Sequence, residues 1–466
     1  KSPNHLMMRM ADNDTIVAIS TPMGVGGIGI VRLSGPRSVE IVDSLFRGKR
    51  QISQLPTYRF TYGRIVEDNR QVDEVLVSVM RAPHSYTTED VVEINCHGGL
   101  VATQTVLEAV LRKGARLAQP GEFTQRAFLG GRIDLTQAEA VSDLIRAKTQ
   151  LGHTVALSQL KGQLSQTLTS IKENLTKCLS LIEVSLDFSE EDIDFVNAED
   201  LTERLSGSVS RLEALLSSFE QGRIVREGVK VAIIGRPNVG KSSLLNLLLG
   251  EERAIVTPVP GTTRDSIEEW IQVEGIPFNI VDTAGVRESN DIVELEGRKR
   301  TQFHIEDADL LVVMLDASES LKHEDKLLAQ MLNGKKFLVV LNKCDLEKAL
   351  SAEQAAEIYD YAPIVEMSAL KGWGVEEFNR ELIALVTKGA GTFRERTVIT
   401  NQRHKECLQK ARGALEQACE ALSSGLSFEC AALDIREALE ALKELVGEVT
   451  SEDILKEIFS SFCIGK

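Results

Sequence analysis

The chain has 466 residues, 43% hydrophobic and 26% charged, which describes folded globular domains and excludes a disordered polymer. A length of this order calls for about two to four domains. Its 53 basic and 69 acidic residues leave a net charge of −16, which excludes a continuous basic nucleic-acid surface but leaves room for a local patch.

No apolar run reaches membrane-spanning length and no secretory pattern is visible, so a cytoplasmic protein without membrane association is expected. Cysteines at 96, 178, 344, 407, 419, 430 and 463 form no Cys-x-x-Cys pair. That pattern reads as reduced, with no disulfide framework and no zinc quartet.

In chain order, the runs at 15–19, 29–33 and 75–79 suit strands, and 101–111 suits a helix. Gly24-Val-Gly-Gly-Ile-Gly29 spells the dinucleotide fingerprint, but that motif needs a helix opening at its last glycine. Ile30-Val-Arg-Leu33 looks extended and Ser34-Gly35-Pro36 breaks the chain, so a glycine-rich turn between strands is expected. From about residue 131 the pattern turns helical. Leu160, Leu164, Leu168, Ile171, Leu175, Leu179 and Ile182 recur at spacings of three and four, one long apolar stripe. The acidic run Asp187-Phe-Ser-Glu-Glu-Asp-Ile-Asp194 reads as a solvated loop or helix start rather than a cation site. Helical spacing resumes over 201–219, and again beyond about 395 through Leu415, Ala418, Leu422, Leu433, 438–446 and 454–462.

Between these helical stretches lies Gly235-Arg-Pro-Asn-Val-Gly-Lys-Ser242, preceded by the apolar run 229–234 and followed by Ser243-Leu-Leu-Asn-Leu-Leu-Leu249. Strand, glycine loop and helix N-terminus aim backbone N–H groups and a positive dipole end at one spot, a cradle for phosphates. Lys241 reaches the outer phosphates, and the Ser242 hydroxyl suits Mg²⁺. Asn238, Val239, Gly240 and Ser243 complete the loop. Asp282, in Phe278-Asn-Ile-Val-Asp-Thr-Ala-Gly285, ends an apolar strand where it can support the Mg²⁺ shell, with Thr283, Ala284 and Gly285 beside the terminal phosphate. Asn342, Lys343 and Asp345 follow a further buried strand. An aspartate there accepts from the ring N–H and exocyclic amine of guanine, which adenine does not offer together. Ser368 and Ala369 follow one more strand, where a main-chain N–H backs the base. Thr262 or Thr263 is the switch threonine that senses γ-phosphate and metal, with Thr263 assigned to Mg²⁺. These motifs, in this order, specify a guanine-nucleotide domain. Where Ras-type sites carry a water-orienting glutamine, this chain has Val286, so Arg287, Glu288, Asp291 and Glu294 are the polar candidates.

The expected fold is multidomain α/β plus all-α. Segment 1–130 is an α+β domain, and segments 131–227 and 390–466 form one helical domain. That domain is interrupted by a Ras-like P-loop GTPase domain at 228–389, a parallel-type sheet with helices on both faces.

Several stretches outside the nucleotide motifs carry a resemblance: Gly26-Gly-Ile-Gly-Ile-Val-Arg32, Ser85-Tyr-Thr-Thr-Glu-Asp90 with Glu93 and His97-Gly-Gly99, and Pro120-Gly-Glu-Phe-Thr-Gln-Arg-Ala-Phe128. Asp134-Leu-Thr-Gln-Ala-Glu-Ala140 and Phe462-Cys-Ile-Gly-Lys466 extend it. Over nearly its whole length the chain resembles the tRNA-modification GTPase MnmE (TrmE) family. The resemblance implies a homodimer paired through N-terminal domains that bind a one-carbon tetrahydrofolate, with Arg32, Glu93, Arg132 and Lys466 as folate contacts. Arg132 stands where the family is expected to carry lysine, which keeps the charge and alters the geometry. The resemblance further implies an FAD- and NADH-using partner, MnmG, and tRNA whose wobble uridine gains an aminomethyl-type substituent on carbon 5.

For hydrolysis, the resemblance implies that Glu294 positions the water, with Arg287 a second candidate. K⁺ near Asn238, Thr257, Val259 and Thr262 takes the place of an arginine finger when two GTPase domains meet. Cys463 has two readings: a small apolar residue packed beside Phe459 and Phe462, or a catalytic group facing the folate or the modifying centre. A ribosome-assembly GTPase and a dynamin-like GTPase are the rivals. The first should add a KH-like Gly-x-x-Gly module or a second GTPase repeat, the second a membrane-binding segment, and none of these is visible.

Overall fold

The structure, a computed structural model, describes residues 14–187, 197–251, 268–282, 302, 305–332, 334–360, 362–387 and 397–466. The chain forms two compact units, one within Lys1–Ile145, Gln159–Ser208 and Lys410–Lys466, the other within Arg146–Ser158 and Val209–Gln409.

The first unit is built on a seven-stranded sheet, β1 (Ile16–Ile19), β2 (Ile28–Ser34), β3 (Phe46–Gly48), β4 (Arg59–Glu67), β5 (Arg70–Met80), β6 (Val91–His97) and β7 (Arg116–Leu117), in the order β3-β4-β5-β6-β2-β1-β7. Its pairings are antiparallel except for β1 with β7. The period of two along each strand sorts the side chains onto two faces. One face, with Val17, Val31, Val77 and Ile94, packs on apolar residues of helices Ser38–Leu45 and Leu100–Arg112. Each fully buried aliphatic side chain there contributes about 1.5–3 kcal/mol.

The other face is divided. Register places Phe60, Ser78, Glu93, Arg32 and Ala18 in one row, and Tyr62, Leu76, Asn95 and Ile30 in the next. Ile16 and Ala18 lie beneath Phe123 of helix Glu122–Leu129. Phe60, Tyr62, Leu76 and Ile28 on the same face stay exposed, at 63%, 60%, 48% and 66%.

Helix Gln163–Asp187 packs along Phe428–Val446, with ion pairs Lys172–Glu448 and Arg436–Glu183 at its rim. The long apolar stripe expected from Leu160 is two helices. Leu160 ends helix Gln150–Leu160, and Gly162, at φ +83°, turns the chain before Gln163. Leu164, Leu168, Ile171, Leu175 and Ile182 are buried as expected, whereas Cys178 takes the buried place beside a half-buried Leu179. Leu433 also departs from its expected face: it is 67% exposed while Ala432 and Ile435 point inward.

The second unit holds β8 (Val229–Ile234), β9 (Glu268–Val273), β10 (Ile276–Asp282), β11 (Leu310–Asp316), β12 (Phe337–Asn342) and β13 (Ile364–Glu366), ordered β13-β12-β11-β8-β10-β9. All pairings are parallel except β9 with β10. Parallel strands are covered on both faces and so read as unbroken apolar runs, as all seven buried residues of β11 do. Val231, Val312 and Val340 meet Leu244, Leu248 and Phe378 on one face; Ile234, Val313 and Leu341 meet Ala355 and Tyr359 on the other. The fold is therefore multidomain, α/β plus all-α.

Candidate functional sites

In the second unit, β8 runs between β11 and β10, so loop 235–240 leaves the carboxyl end of a central strand, where open α/β sheets take their ligands. Helix Lys241–Glu251 starts directly after the loop, with Ser242 and Ser243 exposed in its first turn. The Lys241 ammonium donates to the carbonyls of Gly235 at 2.9 Å and Arg236 at 2.8 Å, which keeps it over the loop. Asn238 is exposed at φ +63°, and Val239 is buried beneath it.

Asn342, expected beside the base, fastens two segments together. Its side-chain amide donates to Val239 O at 2.7 Å, and its Oδ1 accepts from Ala369 N at 2.9 Å. The phosphate loop and the segment behind the base are thereby joined through one side chain that is 3% exposed. Gly240 closes against it: a Cβ there would lie 2.1 Å from Asn342 Nδ2, on a backbone at φ +104°. Lys343 pairs with Asp316 at 2.6 Å. Asp345 is half-buried in the turn that follows, and Ser368 is buried, its N–H donating to Trp373 O at 3.1 Å.

Arg236, within the loop, makes two ion pairs the motif does not announce. Its Nε lies 2.9 and 3.0 Å from the oxygens of Asp325, a carboxylate 1% exposed, and Nη2 reaches Glu319 at 3.3 Å. Tyr359 donates its hydroxyl to Asp325 O at 2.8 Å. Asp316, Arg236 and Asp325 had no place among the expected site residues: Arg236 stands in the loop motif, but only strand register and tertiary packing bring Asp325 to it and Asp316 to Lys343. The side chain of Asp282, and Thr257, Val259, Thr262, Thr263, Thr283, Ala284, Gly285, Val286, Arg287, Glu288, Asp291 and Glu294, lie outside the described residues.

The first unit contains a cavity of about 480 Å³ lined by Arg32, Tyr86, Glu93, Arg132, Gln137 and Lys466 among others. All four residues expected to contact folate therefore meet at one cavity. Arg32 and Glu93 face each other across β2 and β6, with Nε–Oε1 at 2.8 Å and Nη2–Oε1 at 2.7 Å. The Arg132 guanidinium stacks over Tyr86 at 4.8 Å from the ring centroid and donates to Tyr86 O at 3.2 Å. Burial pushes the Tyr86 phenol up, against the effect of its Thr124 hydrogen bond. Burial, helped by the nearby Arg32 charge, lowers the Lys466 ammonium below the ordinary lysine value.

The C-terminal segment reaches this cavity because it packs on the first strand. Gly465 O accepts from Ser20 Oγ at 3.3 Å and Arg32 Nη1 at 3.4 Å, and a Cβ on Gly465 would lie 2.5 Å from Ile19 O. Phe462 is buried with Phe459, at 5.5 Å between ring centroids. Cys463 is exposed, which corrects the reading that packs it beside those rings, and its thiol is not among the groups lining the cavity. Tyr86 and Gln137 sit within motifs visible in the sequence, yet nothing in their spacing marks them as cavity residues.

One wall is held by a polar lattice around Arg126, 5% exposed, which contacts Asp14 at 2.6 Å, Glu89 at 3.1 Å and Glu122 at 3.1 Å. Ser34 joins Glu89 and Thr87, each at 2.6 Å, while Asp90 receives Arg81 at 3.1 Å and Ala82 N at 2.9 Å. The loop 85–90 is thus fixed by its own polar residues. Among the described residues no cluster of His, Cys, Asp or Glu suits a metal, and no helix is long and apolar enough to cross a membrane.

Two family models match this chain, the "MnmE helical domain" over residues 135–463 and the "GTP-binding protein TrmE N-terminus" over residues 15–132. The tRNA modification GTPase MnmE of Alkaliphilus metalliredigens is 46% identical over 458 residues, covering 97% of this chain and 99% of the relative. That of Acetivibrio thermocellus is 43% identical over 459 residues, covering 98% and 100%. Among solved structures, the G domain of the T. maritima FeoB iron transporter is 27% identical, covers 34% of this chain and 98% of that one, and superposes with a TM-score of 0.27.

Proposed function

Since the chain belongs to the tRNA modification GTPase MnmE family, we propose that it hydrolyses GTP to GDP and phosphate as a step in modifying tRNA. The observation that carries this reading is the phosphate loop at the carboxyl end of β8, tied through Asn342 to the segment at Ala369. One side chain there links the surfaces that would hold phosphate and base, so binding at one end orders the other.

Mg²⁺ would be held by Ser242, a hard oxygen donor exposed in the first helical turn, together with Thr263. K⁺ would be held near Asn238, whose exposed side chain offers an amide oxygen, with Thr257, Val259 and Thr262. Bound cations beside the transferring phosphoryl group neutralise its developing charge. Glu294 would position water when two GTPase domains meet, with Arg287 the alternative, and the exposed Cys463 thiol would serve the modifying centre.

The cavity of the first unit suits a tetrahydrofolate derivative, which supplies a one-carbon group when bound. Arg32, Arg132 and Lys466 offer cations to its carboxylates, Glu93 accepts from amino and ring N–H groups, and Tyr86 offers an aromatic wall. The proposed product is a wobble uridine substituted at carbon 5, made in the cytoplasm with the FAD-dependent partner MnmG by a homodimer of this chain.

Nucleoside mass spectrometry of tRNA from cells lacking the gene tests the proposal. Loss of the wobble substituent, restored by the wild-type chain and not by Lys241→Ala or Glu294→Ala, is the expected result. Unaltered wobble uridine with defective ribosomal particles would overturn it in favour of an assembly GTPase.

A further inference from the structure

A chain with a net charge of −16 carries one stretch of the opposite sign. Between Asp43 and Glu67 stand Arg47, Lys49, Arg50, Arg59 and Arg64, and no acidic residue. All of these cations are exposed, and β3, which carries Arg47, is an edge strand of its sheet. Lys49 and Arg50 follow β3 directly, and β4 places Arg64 opposite Arg47 in register. Like charges directly across a strand pair are destabilising, and an anion beside them would relieve the repulsion. The acidic residues on either side are engaged elsewhere. Asp43 accepts from the N–H groups of Ile52 and Ser53, Glu67 pairs with Arg112 at 2.7 Å, and Asp90 pairs with Arg81 at 3.1 Å. Glu74 reaches Arg64 at 3.4 Å, an exposed pair of little strength. Among the described residues no ion pair forms at Arg47, Lys49, Arg50 or Arg59.

The loop after Arg50 is nonetheless fixed. Arg81, just past β5, donates its N–H to Thr57 Oγ1 at 3.0 Å and its Nη2 to Ser53 O at 3.0 Å, which fastens both ends of that loop. Tyr58 comes next; its hydroxyl donates to His84 O at 2.7 Å while the residue stays 64% exposed. A tethered, exposed ring beside uncompensated cations suits looped or single-stranded RNA, whose phosphates meet the cations and whose unstacked bases meet the ring. An acidic polypeptide offers the cations charge but no flat face for the ring. We propose, on the premise that this family acts on tRNA, that the β3 edge is a tRNA-docking surface. Arg47, Lys49, Arg50 and Arg59 contact backbone phosphates, and Tyr58 stacks on an unpaired base. Phosphate contacts of this kind position an RNA without reading its sequence.

The test uses the full chain and a fluorescein-labelled tRNA transcript with uridine at the wobble position, read by anisotropy across a salt series. The triple variant Arg47→Gln, Lys49→Gln, Arg50→Gln should bind at least about tenfold more weakly near 0.1 M salt. Its slope of log affinity against log salt should be shallower by about two to three. Tyr58→Leu should weaken binding severalfold with the slope unchanged, since stacking releases no counterions. Changing the exposed lysines Lys177, Lys326 and Lys410 together to Gln removes the same charge from other surfaces, and affinity should stay within about twofold. Basal GTP hydrolysis and sedimentation should match the wild type in every variant, which separates the effect from folding and from chain pairing. Wild-type affinity in the triple variant or in Tyr58→Leu, or an equal loss in the lysine control, would overturn the proposal. So would a loss of affinity that follows altered chain pairing, which would assign the edge to a second copy. Competition by polyglutamate of equal charge would overturn it in favour of an acidic protein. A wild-type chain that binds no tRNA would overturn it too, whereas the family reading is decided separately by the wobble nucleoside in cells.

Discussion

Gly240 has room for a hydrogen and nothing larger, because the Asn342 amide nitrogen would lie 2.1 Å from any Cβ. Gly240→Ala would therefore displace Asn342 and strain a backbone at φ +104°. The strain costs about 1–3 kcal/mol, and each of the two Asn342 hydrogen bonds contributes about 0.5–1.5 kcal/mol. We expect the variant to lower unfolding stability of the nucleotide unit by about 2–4 kcal/mol in urea titration and to weaken GTP binding at least tenfold. Asn342→Ala should lose the same two bonds without the backbone strain, and hence less stability; equal losses would show that the bridge, and not the clash, dominates. At this scale the sequence was partly legible. The spacing of Gly235, Gly240, Lys241 and Ser242 announces a phosphate loop because each residue type is demanded locally. The links Asp316–Lys343 and Arg236–Asp325 were not legible, since residues 27 and 89 positions apart meet only through parallel register and helix packing.

Helix Glu122–Leu129 and loop 85–90 are held together by Arg126, and that lattice sets how the cavity wall responds to acid. Burial raises Asp14 and Glu122, but Arg126 and Arg116, with the Gln119 N–H on Glu122, outweigh it and leave both carboxyls below their ordinary values. A carboxyl depressed in the folded state binds fewer protons there than when unfolded. Its stabilising contribution is thus complete above the ordinary carboxylate range, near pH 4, and is lost as pH falls through the folded values. Arg126→Met removes one of the two cations these carboxyls share, leaving Arg116 and the Gln119 N–H to oppose burial, and so moves both carboxyls upward. We expect a loss of about 3–5 kcal/mol at neutral pH, the cost of breaking a buried ion pair, and an acid-unfolding midpoint shifted to higher pH. Circular dichroism followed from neutral pH downward reads both; an unchanged midpoint would mean the lattice contributes little. Elements of this kind differ in how well they show in the sequence. The runs at 15–19, 29–33 and 75–79 lie within or across β1, β2 and β5 because apolar alternation is local. The Leu160–Ile182 stripe hid a break because the sequence spacing of four from Leu160 to Leu164 runs on across the turn at Gly162.

At the scale of the whole molecule, two features oppose each other: a net charge of −16, and a sheet face that leaves Phe60, Tyr62, Leu76 and Ile28 about half exposed or more. Register sets Tyr62 directly opposite Leu76 and Phe60 one row away, in the same row as Glu93 and Arg32 of the cavity. Large side chains clustered on a sheet face mark an interaction surface, and a self-complementary face pairs two copies about a two-fold axis. Two chains of −16 repel, so pairing through this face must be driven by apolar burial and should tighten as salt screens the charge. A pairing held by surface ion pairs would weaken instead. Sedimentation velocity at low and high sodium chloride separates the two. We expect a homodimer whose dissociation constant falls as salt rises, and a monomer for the double variant Tyr62→Arg with Leu76→Glu at every salt concentration. Both substitutions lie on exposed positions, so near-native circular dichroism should accompany the monomer. Cavity affinity adds a second reading of the same variant, because Arg32 and Glu93 share that face. If pairing shapes the cavity, the monomer should bind a reduced folate more weakly, and unchanged affinity would assign the cavity to each chain alone.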